Sequence, residues 1–381
     1  MNNATYPVRI LHVVTHLNRY GLESRIMDIY RNIDRTKVQF DFLIHRNDMG
    51  DFGEEIKLLG GRIYVIRKIS PPNFMRYLDD LNVFFAEHKE YKIVHAHLNT
   101  LSTWVLRAAK KNGVPVRIAH SRNASMEKDL KTIPKFASKL FINRMCTDRF
   151  ACSRMAGKWL FGEKYIQKSN FRIIPNAFQI DKFIWNTNVR IKKREELGVQ
   201  VDEIMVVNVA RFSEQKNHLF LLDIFEKLHC KKPNTKLYLA GEGECEEKIR
   251  NYIAKKGLQN SVVFLGLRSD IPELYQAADL FIFPSKYEGF GTVLVEAQVT
   301  NLPTVTSSTI PNETKLCECV TFVDLDKSVD DWAGACINLF ETTKRFDNSQ
   351  CVIKSGFDIR TQYKWLEEFY LKKWDYYDQQ S

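Results

Sequence analysis

The sequence predicts an α/β protein built as two doubly wound domains. Three observations carry this reading. Short apolar runs of strand length alternate with stretches of helix length along all 381 residues. The runs are continuously apolar, as strands covered on both faces are, and do not alternate apolar with polar. They also fall into two series on either side of a polar stretch, residues 181–198, that holds no strand pattern. Two βαβ series of this length call for two domains, each with its own parallel sheet.

The first series places strands at 9–14, 40–45, 62–67, 93–97, 116–121, 149–153 and 171–175. The second places them at 204–210, 236–241, 261–266, 280–284, 303–308 and 320–325. Between the series, 181–198 ends in Lys192-Lys193-Arg194-Glu195-Glu196, and reads as a linker followed by a helix. At the far end, residues 361–377 carry Tyr363, Trp365, Leu366, Phe369, Tyr370 and Trp374. That spacing gives one helix with a broad aromatic face, which needs a surface to dock on. Packing on its own domain would meet the same need.

Composition narrows the class. A hydrophobic content of 44% suits a globular protein with full cores. No apolar run approaches the roughly 18 residues of a membrane span. Residues 1–7 are polar and lack a signal-peptide core, so the expected compartment is the cytoplasm. Cysteines 146, 152, 230, 245, 317, 319, 336 and 351 form no Cys-x-x-Cys pair, and are expected to be reduced and structural. The charge is uneven, about +14 over residues 1–180 and about −4 over 181–381, together the +10 of the whole chain. A basic first half suits an anionic partner. No nucleic-acid motif accompanies the charge, so a membrane surface or a phosphorylated acceptor ranks above nucleic acid.

The segment with the most chemistry is 284–298, Pro-Ser-Lys-Tyr-Glu-Gly-Phe-Gly-Thr-Val-Leu-Val-Glu-Ala-Gln. Glu288 and Glu296 bracket a glycine turn that opens a helix. Glycine lets backbone approach a ligand closely, a helix N-terminus favours an anion, and carboxylates accept from sugar hydroxyls. The same residues also suit an ordinary strand–turn–helix with a capping acid. Arg211 and Lys216 follow the first strand of the second series, at the sheet edge where open α/β folds bind ligands. Such cations grip phosphate. Gly241-Glu242-Gly243 is a lone Gly-x-Gly after a strand, and Gly21 lies between the first strand and a helix; each is a ligand loop or a plain turn.

His120 ends a strand. His95 and His97 alternate on another and can face one side. A metal site would need a third ligand, and the spacing nominates none, so no metal is expected. Residues 128–149 space Lys128, Lys131, Lys135, Lys139 and Arg144 along a helical run with Leu130, Ile133, Phe136, Leu140, Phe141 and Ile142. This could be a basic amphipathic helix on anionic lipid, or a core-facing helix with a solvated basic side.

Taken together these residues resemble glycosyltransferase family 4, of the GT-B fold. The carriers are Glu288-Gly-Phe-Gly through Glu296 (the family's E-x7-E motif), Arg211 with Lys216-Asn217, Gly241-Glu-Gly243 and Pro175-Asn176-Ala177. Ala119-His120-Ser121, Ala151-Cys152-Ser153, Ala156-Gly-Lys-Trp-Leu-Phe-Gly162 and Ile310-Pro-Asn-Glu313 resemble the capsular and exopolysaccharide branch.

The resemblance implies two Rossmann-like domains facing across a cleft, with the C-terminal helix crossing back to the first. The implied bounds are 1–183 with 360–381 for the acceptor-side domain, and 184–359 for the donor domain. It further implies that Arg211 and Lys216 neutralise the donor diphosphate, that Glu296 accepts from the ribose hydroxyls, and that Glu288 holds hydroxyls of the donor sugar. Gly289, Phe290, Gly291, Thr292 and Gly241 would line the donor, with the Phe290 and Gly291 amides close to it. Gly21 would approach the diphosphate, and His120 the donor sugar near the reacting carbon. The family usually carries Gly-Gly where this chain has Tyr20-Gly21.

The expected activity is retaining, metal-independent sugar transfer from a nucleotide-diphospho-sugar, UDP-linked, to a lipid-linked saccharide. The expected place is the cytoplasmic face of the inner membrane, peripherally bound, with no cofactor. Glycoside hydrolysis by the two glutamates is rejected, because Arg211 and Lys216 would have no purpose on uncharged glycans. A nucleotide-sugar epimerase of the same fold, and an inactive partner subunit motivated by Tyr20, are the competing readings.

Overall fold

The computed structural model describes residues 7–19, 21–122 and 132–379, and only the backbone at 71 and 132–137. Tyr20 and residues 128–131 of the basic helical run lie outside the described residues. The chain divides into two compact units, Met1–Phe178 with Asp358–Ser381, and Gln179–Phe357.

The first unit holds seven parallel strands: β1 (Val8–Val14), β2 (Val38–Ile44), β3 (Ile63–Val65), β4 (Ile93–Ala96), β5 (Val116–Ser121), β6 (Asp148–Ala151) and β7 (Phe171–Ile173). Their order is β3-β2-β1-β4-β5-β6-β7, so the winding reverses between β1 and β4. In that central pair His12 of β1 stands beside His95 of β4. Side chains alternate faces along a strand. Ile10, Phe40, Phe42, Ile93 and Ile118 build one core with Ile26 and Tyr30 of the helix Gly21–Asn32, with Ile33 just beyond its end, and with Leu366 and Tyr370 of the C-terminal helix Ile359–Asp378. The aromatic tail thus docks on the first sheet. Asp358 starts its helix by accepting from Arg360 N–H at 2.9 Å, a capping arrangement that satisfies a free donor of the first turn.

The second unit holds six parallel strands: β8 (Ile204–Val209), β9 (Thr235–Ala240), β10 (Val262–Gly266), β11 (Leu280–Phe283), β12 (Thr304–Ser307) and β13 (Val320–Val323). Their order is β10-β9-β8-β11-β12-β13, and the winding reverses between β8 and β11. Its core packs Val206, Leu237, Leu280 and Val305 against Leu221, Phe225, Ile249 and Trp332. The stretch expected to be a linker and a helix is a 3-10 turn, Ile180–Phe183, and the helix Thr187–Glu196. Asn186 caps that helix by accepting from the N–H groups of Asn188 and Val189. The expected boundary at 183/184 falls at the end of this turn, inside the second unit.

Each expected strand matches an observed one. The C-terminal bounds were set too long: His97, Ser153 and Pro175 lie beyond β4, β6 and β7. Those residues extend apolar runs but lead into loops, and proline has no N–H to give an edge ladder.

Candidate functional site

The reversal between β8 and β11 gathers the second unit's chemistry-bearing side chains. Ligands of open α/β sheets bind beyond the carboxyl ends of strands at such a point. Residues after β8 supply Arg211 and Lys216, and residues after β11 supply Ser285 and Glu288. Lys216 Nζ donates to Glu288 Oε1 at 2.6 Å, and Ser285 Oγ donates to the same oxygen at 2.6 Å. Both partners of this ion pair are largely shielded, with side chains 19% and 10% exposed. Two further bonds lock the loops together: Lys286 N–H donates to Gln215 O at 2.8 Å, and Gln215 Nε2 to Tyr287 O at 2.7 Å. Lys216 also lies 5.1 Å from the Phe283 ring centroid.

Arg211 is held more loosely. Its side chain is 59% exposed and pairs with the equally exposed Glu244 at 2.9 Å. An exposed pair of this kind is worth little and exchanges readily for a better anion.

The glycine turn behaves as its sequence suggests. Gly291 adopts the left-handed conformation, φ 84°, and opens the helix Thr292–Val299. Gly289 and Phe290 are buried, and the Phe290 ring stacks on Phe357 at 5.3 Å, so its side chain belongs to the core. Thr292 is half-buried, and Glu296 is buried one turn into the helix. Gln298, on the same helix, is fully buried and satisfied at both ends. Its Nε2 donates to Leu294 O and Thr314 O, and its Oε1 accepts from Leu316 and Cys317 N–H. It ties the helix to the loop carrying Ile310-Pro-Asn-Glu313. Gln298 went unnoticed in sequence because its partners Thr314, Leu316 and Cys317 lie beyond any local pattern, whereas Ser285 reaches Glu288 only three residues on but belongs to no motif that marks it.

Gly241 has a structural explanation. At φ 142°, a Cβ there would sit 2.0 Å from Ala210 O, and one at Gly243 would sit 2.4 Å from Phe212 O. The two strand-end loops are zipped together by Phe212 N–H to Glu242 O and Cys245 N–H to Phe212 O, each 2.9 Å. The Gly-x-Gly is thus demanded by loop packing. Gly21 differs: it begins the helix Gly21–Asn32, and a Cβ there would meet nothing within 4 Å.

In the first unit, His120 is 1% exposed and hydrogen-bonds His95 Nε2 through Nδ1 at 3.0 Å. His95 and His97 do share a face, with ring centroids 4.2 Å apart. Contrary to the sequence expectation, a third histidine joins them. His12 contacts His97 at 3.1 Å, and ring nitrogens of His12, His95 and His97 lie within 4.8 Å of one another. Sequence could not show this, because it follows from β1 and β4 being neighbours in the sheet. Burial pushes the pKa of all four histidines below the ordinary value, so each is neutral.

The helix Thr132–Met145 is present where the basic run predicted one. Leu140 and Phe141 are 65% and 44% exposed. Met75 is also exposed, in the helix Phe74–Glu87. Trp104 bridges these helices, stacking edge-on against Phe74 and donating to Ser138 Oγ at 2.8 Å. Arg76 is exposed on the helix Phe74–Glu87, Arg107, Lys110 and Lys111 on the helix Ser102–Lys111 that carries Trp104, and Arg144 on Thr132–Met145. No described helix is long and apolar enough to cross a membrane.

Comparison with known proteins adds the following. A family model described as glycosyl transferases group 1 matches residues 189–344, which include the whole β8–β11 cluster. The chain is 34% identical over 331 residues to EpsF of Bacillus subtilis (strain 168), named as a glycosyltransferase, covering 85% of this chain and 86% of that protein. It is 25% identical over 379 residues to CapH of Staphylococcus aureus, a glycosyltransferase of capsular polysaccharide biosynthesis, covering 96% and 99%. Among solved structures, HepE of Anabaena in complex with UDP-glucose superposes with a TM-score of 0.75 at 22% identity, covering 95% of this chain and 98% of that one. That last likeness bears on the fold alone.

Proposed function

This chain belongs to the group 1 glycosyltransferases of the GT-B fold, and from that premise we propose a retaining transferase of polysaccharide synthesis. It moves a sugar from a UDP-linked donor to a lipid-linked saccharide. The observation that carries this is the convergence of Arg211, Lys216 and Glu288 where the second sheet reverses its winding, beside the helix that bears Glu296.

Lys216 is paired with Glu288 at 2.6 Å. The donor diphosphate, carrying more charge than one carboxylate, draws Lys216 and the loosely held Arg211 to itself. Glu288, kept in place by Ser285, then turns its acceptor oxygens to the sugar hydroxyls. Glu296 accepts from the ribose. The bond from anomeric carbon to diphosphate oxygen breaks, and the acceptor oxygen bonds to that carbon on the same face. The acceptor's proton passes to the departing diphosphate. Positive charge on the leaving group lowers the barrier, so no protein nucleophile and no metal ion is needed. In this reading Gly21, where a Cβ would meet nothing within 4 Å, approaches the diphosphate, and His120 the donor sugar.

The exposed apolar side chains Met75, Leu140 and Phe141 among five exposed cations support peripheral attachment to an anionic membrane face, where a lipid-linked acceptor would be met. The test of the central reading is kinetic. Lys216→Ala should lower turnover by at least about 100-fold while leaving the melting curve intact, and wild-type activity should survive EDTA. Turnover within a few-fold of wild type would end the assignment.

A further inference from the structure

Two thiols of the second unit meet across a long stretch of chain. Cys317 and Cys351 are 34 residues apart, and their sulfurs lie 3.3 Å from one another. Cys317 stands in the loop between the 3-10 turn Asn312–Thr314 and β13, and Cys351 in the helix Ser349–Lys354. Both are free thiols, and both are half-buried rather than sealed in the core.

The contact is held from both sides. Gln298 Oε1 accepts from Cys317 N–H at 3.0 Å, and Cys351 Sγ bonds Leu316 O at 3.2 Å. Asn348 N–H donates to Val299 O at 2.9 Å, which anchors the entry to the helix Ser349–Lys354. Sulfurs in a disulfide are about 2.05 Å apart, so the gap left to close is about 1.3 Å, less than one carbon–carbon bond. Cys319 is the poorer partner for either. It is 2% exposed, and its carbonyl is committed to the sheet, accepting from Thr304 N–H at 2.8 Å.

We propose that Cys317 and Cys351 are an oxidation site, which a hydroperoxide closes to a disulfide. The Cys351 sulfur attacks one peroxide oxygen. The O–O bond breaks, the other oxygen leaves as water with the Cys351 proton, and Cys351 becomes a sulfenic acid. The Cys317 sulfur then attacks the Cys351 sulfur. The S–S bond forms as the S–O bond breaks, and the second oxygen leaves as water with the Cys317 proton. Two thiols lose two electrons, and the peroxide gains them.

Burial and the contact with Cys317 push the Cys351 thiol up to about 11. Its thiolate is scarce and the first step slow, whereas the second joins sulfurs already in contact and is fast. The disulfide therefore accumulates in place of the sulfenic acid. It ties the loop held by Gln298 to the helix Ser349–Lys354, and braces the end of the helix Thr292–Val299 from both. This goes beyond the transferase reading, and its test uses no turnover measurement.

The full chain is reduced, desalted and treated with hydrogen peroxide. It is then denatured, and the remaining thiols are capped with N-ethylmaleimide. Of the eight cysteines six should be capped, and trypsin should leave peptides 316–327 and 346–354 joined, with the cap of the first on Cys319. The transition of the second unit should rise by about 5–10 °C and return with dithiothreitol. Cys317→Ser and Cys351→Ser should each remove the link and the rise, and one serves if the other does not fold. Cys319→Ser should keep both. A Cys230→Ser background removes an exposed thiol that could join two chains. Eight capped cysteines after peroxide, a bridge from Cys317 to Cys319, or a transition that peroxide leaves in place would overturn the proposal.

Discussion

The shortest contacts at the β8–β11 reversal set a division of labour between two glutamates. Glu288 is bonded to Lys216 and Ser285, so removing it frees a cation for the diphosphate. Glu296 is buried on the helix Thr292–Val299. Calorimetry with UDP should find Glu288→Ala binding as tightly as wild type, or tighter, with turnover lost. Glu296→Ala should bind UDP about 10-fold or more weakly, the scale of a lost hydrogen bond to a charged group. The opposite pattern would exchange the two roles. At this scale the sequence was partly legible. Arg211, Lys216 and the two glutamates stand out because strand ends and a glycine turn mark their places. The Lys216–Glu288 pair spans 72 residues, and no local pattern encodes such a meeting.

At the scale of elements, the C-terminal helix is the one whose packing can be tested most directly. Leu366 is 2% exposed and joins the core shared by β1, β2 and the helix Gly21–Asn32. Leu366→Ala should cost about 2–5 kcal/mol. Calorimetry should register this as a lower transition for the first unit and an unshifted one for the second; equal shifts in both would mean that the units melt as one. The elements themselves were legible. Strands buried on both faces are written as continuous apolar runs, and the aromatic spacing of residues 361–377 announced a docked helix. Exact strand ends were not legible, since apolar residues such as those around Pro175 continue past the last ladder bond. Which helix covers which strand was equally hidden, and with it the neighbourhood of His12 and His95.

For the whole molecule, the basic first half predicts behaviour at an interface. Each cation near an anionic surface contributes about 1 kcal/mol, and salt screens it. Sedimentation should show binding to anionic vesicles at low salt, release at high salt and none to neutral vesicles. Replacing Leu140 and Phe141 with serine should weaken the binding without lowering the melting temperature, because both side chains are exposed. Equal binding to neutral and anionic vesicles would show that the charge serves something else.

The second unit, Gln179–Phe357, is an uninterrupted insertion between two pieces of the first. During synthesis at roughly 5–20 residues per second, the first sheet therefore waits on the order of ten to forty seconds for the helix that covers it. Over that interval Phe40, Phe42 and the histidine row remain open to water and to other chains, while the inserted unit can fold undisturbed on the ribosome. A ribosome stalled inside the insertion would display a half-built first sheet, which makes the nascent chain a client for chaperones that hold apolar surfaces.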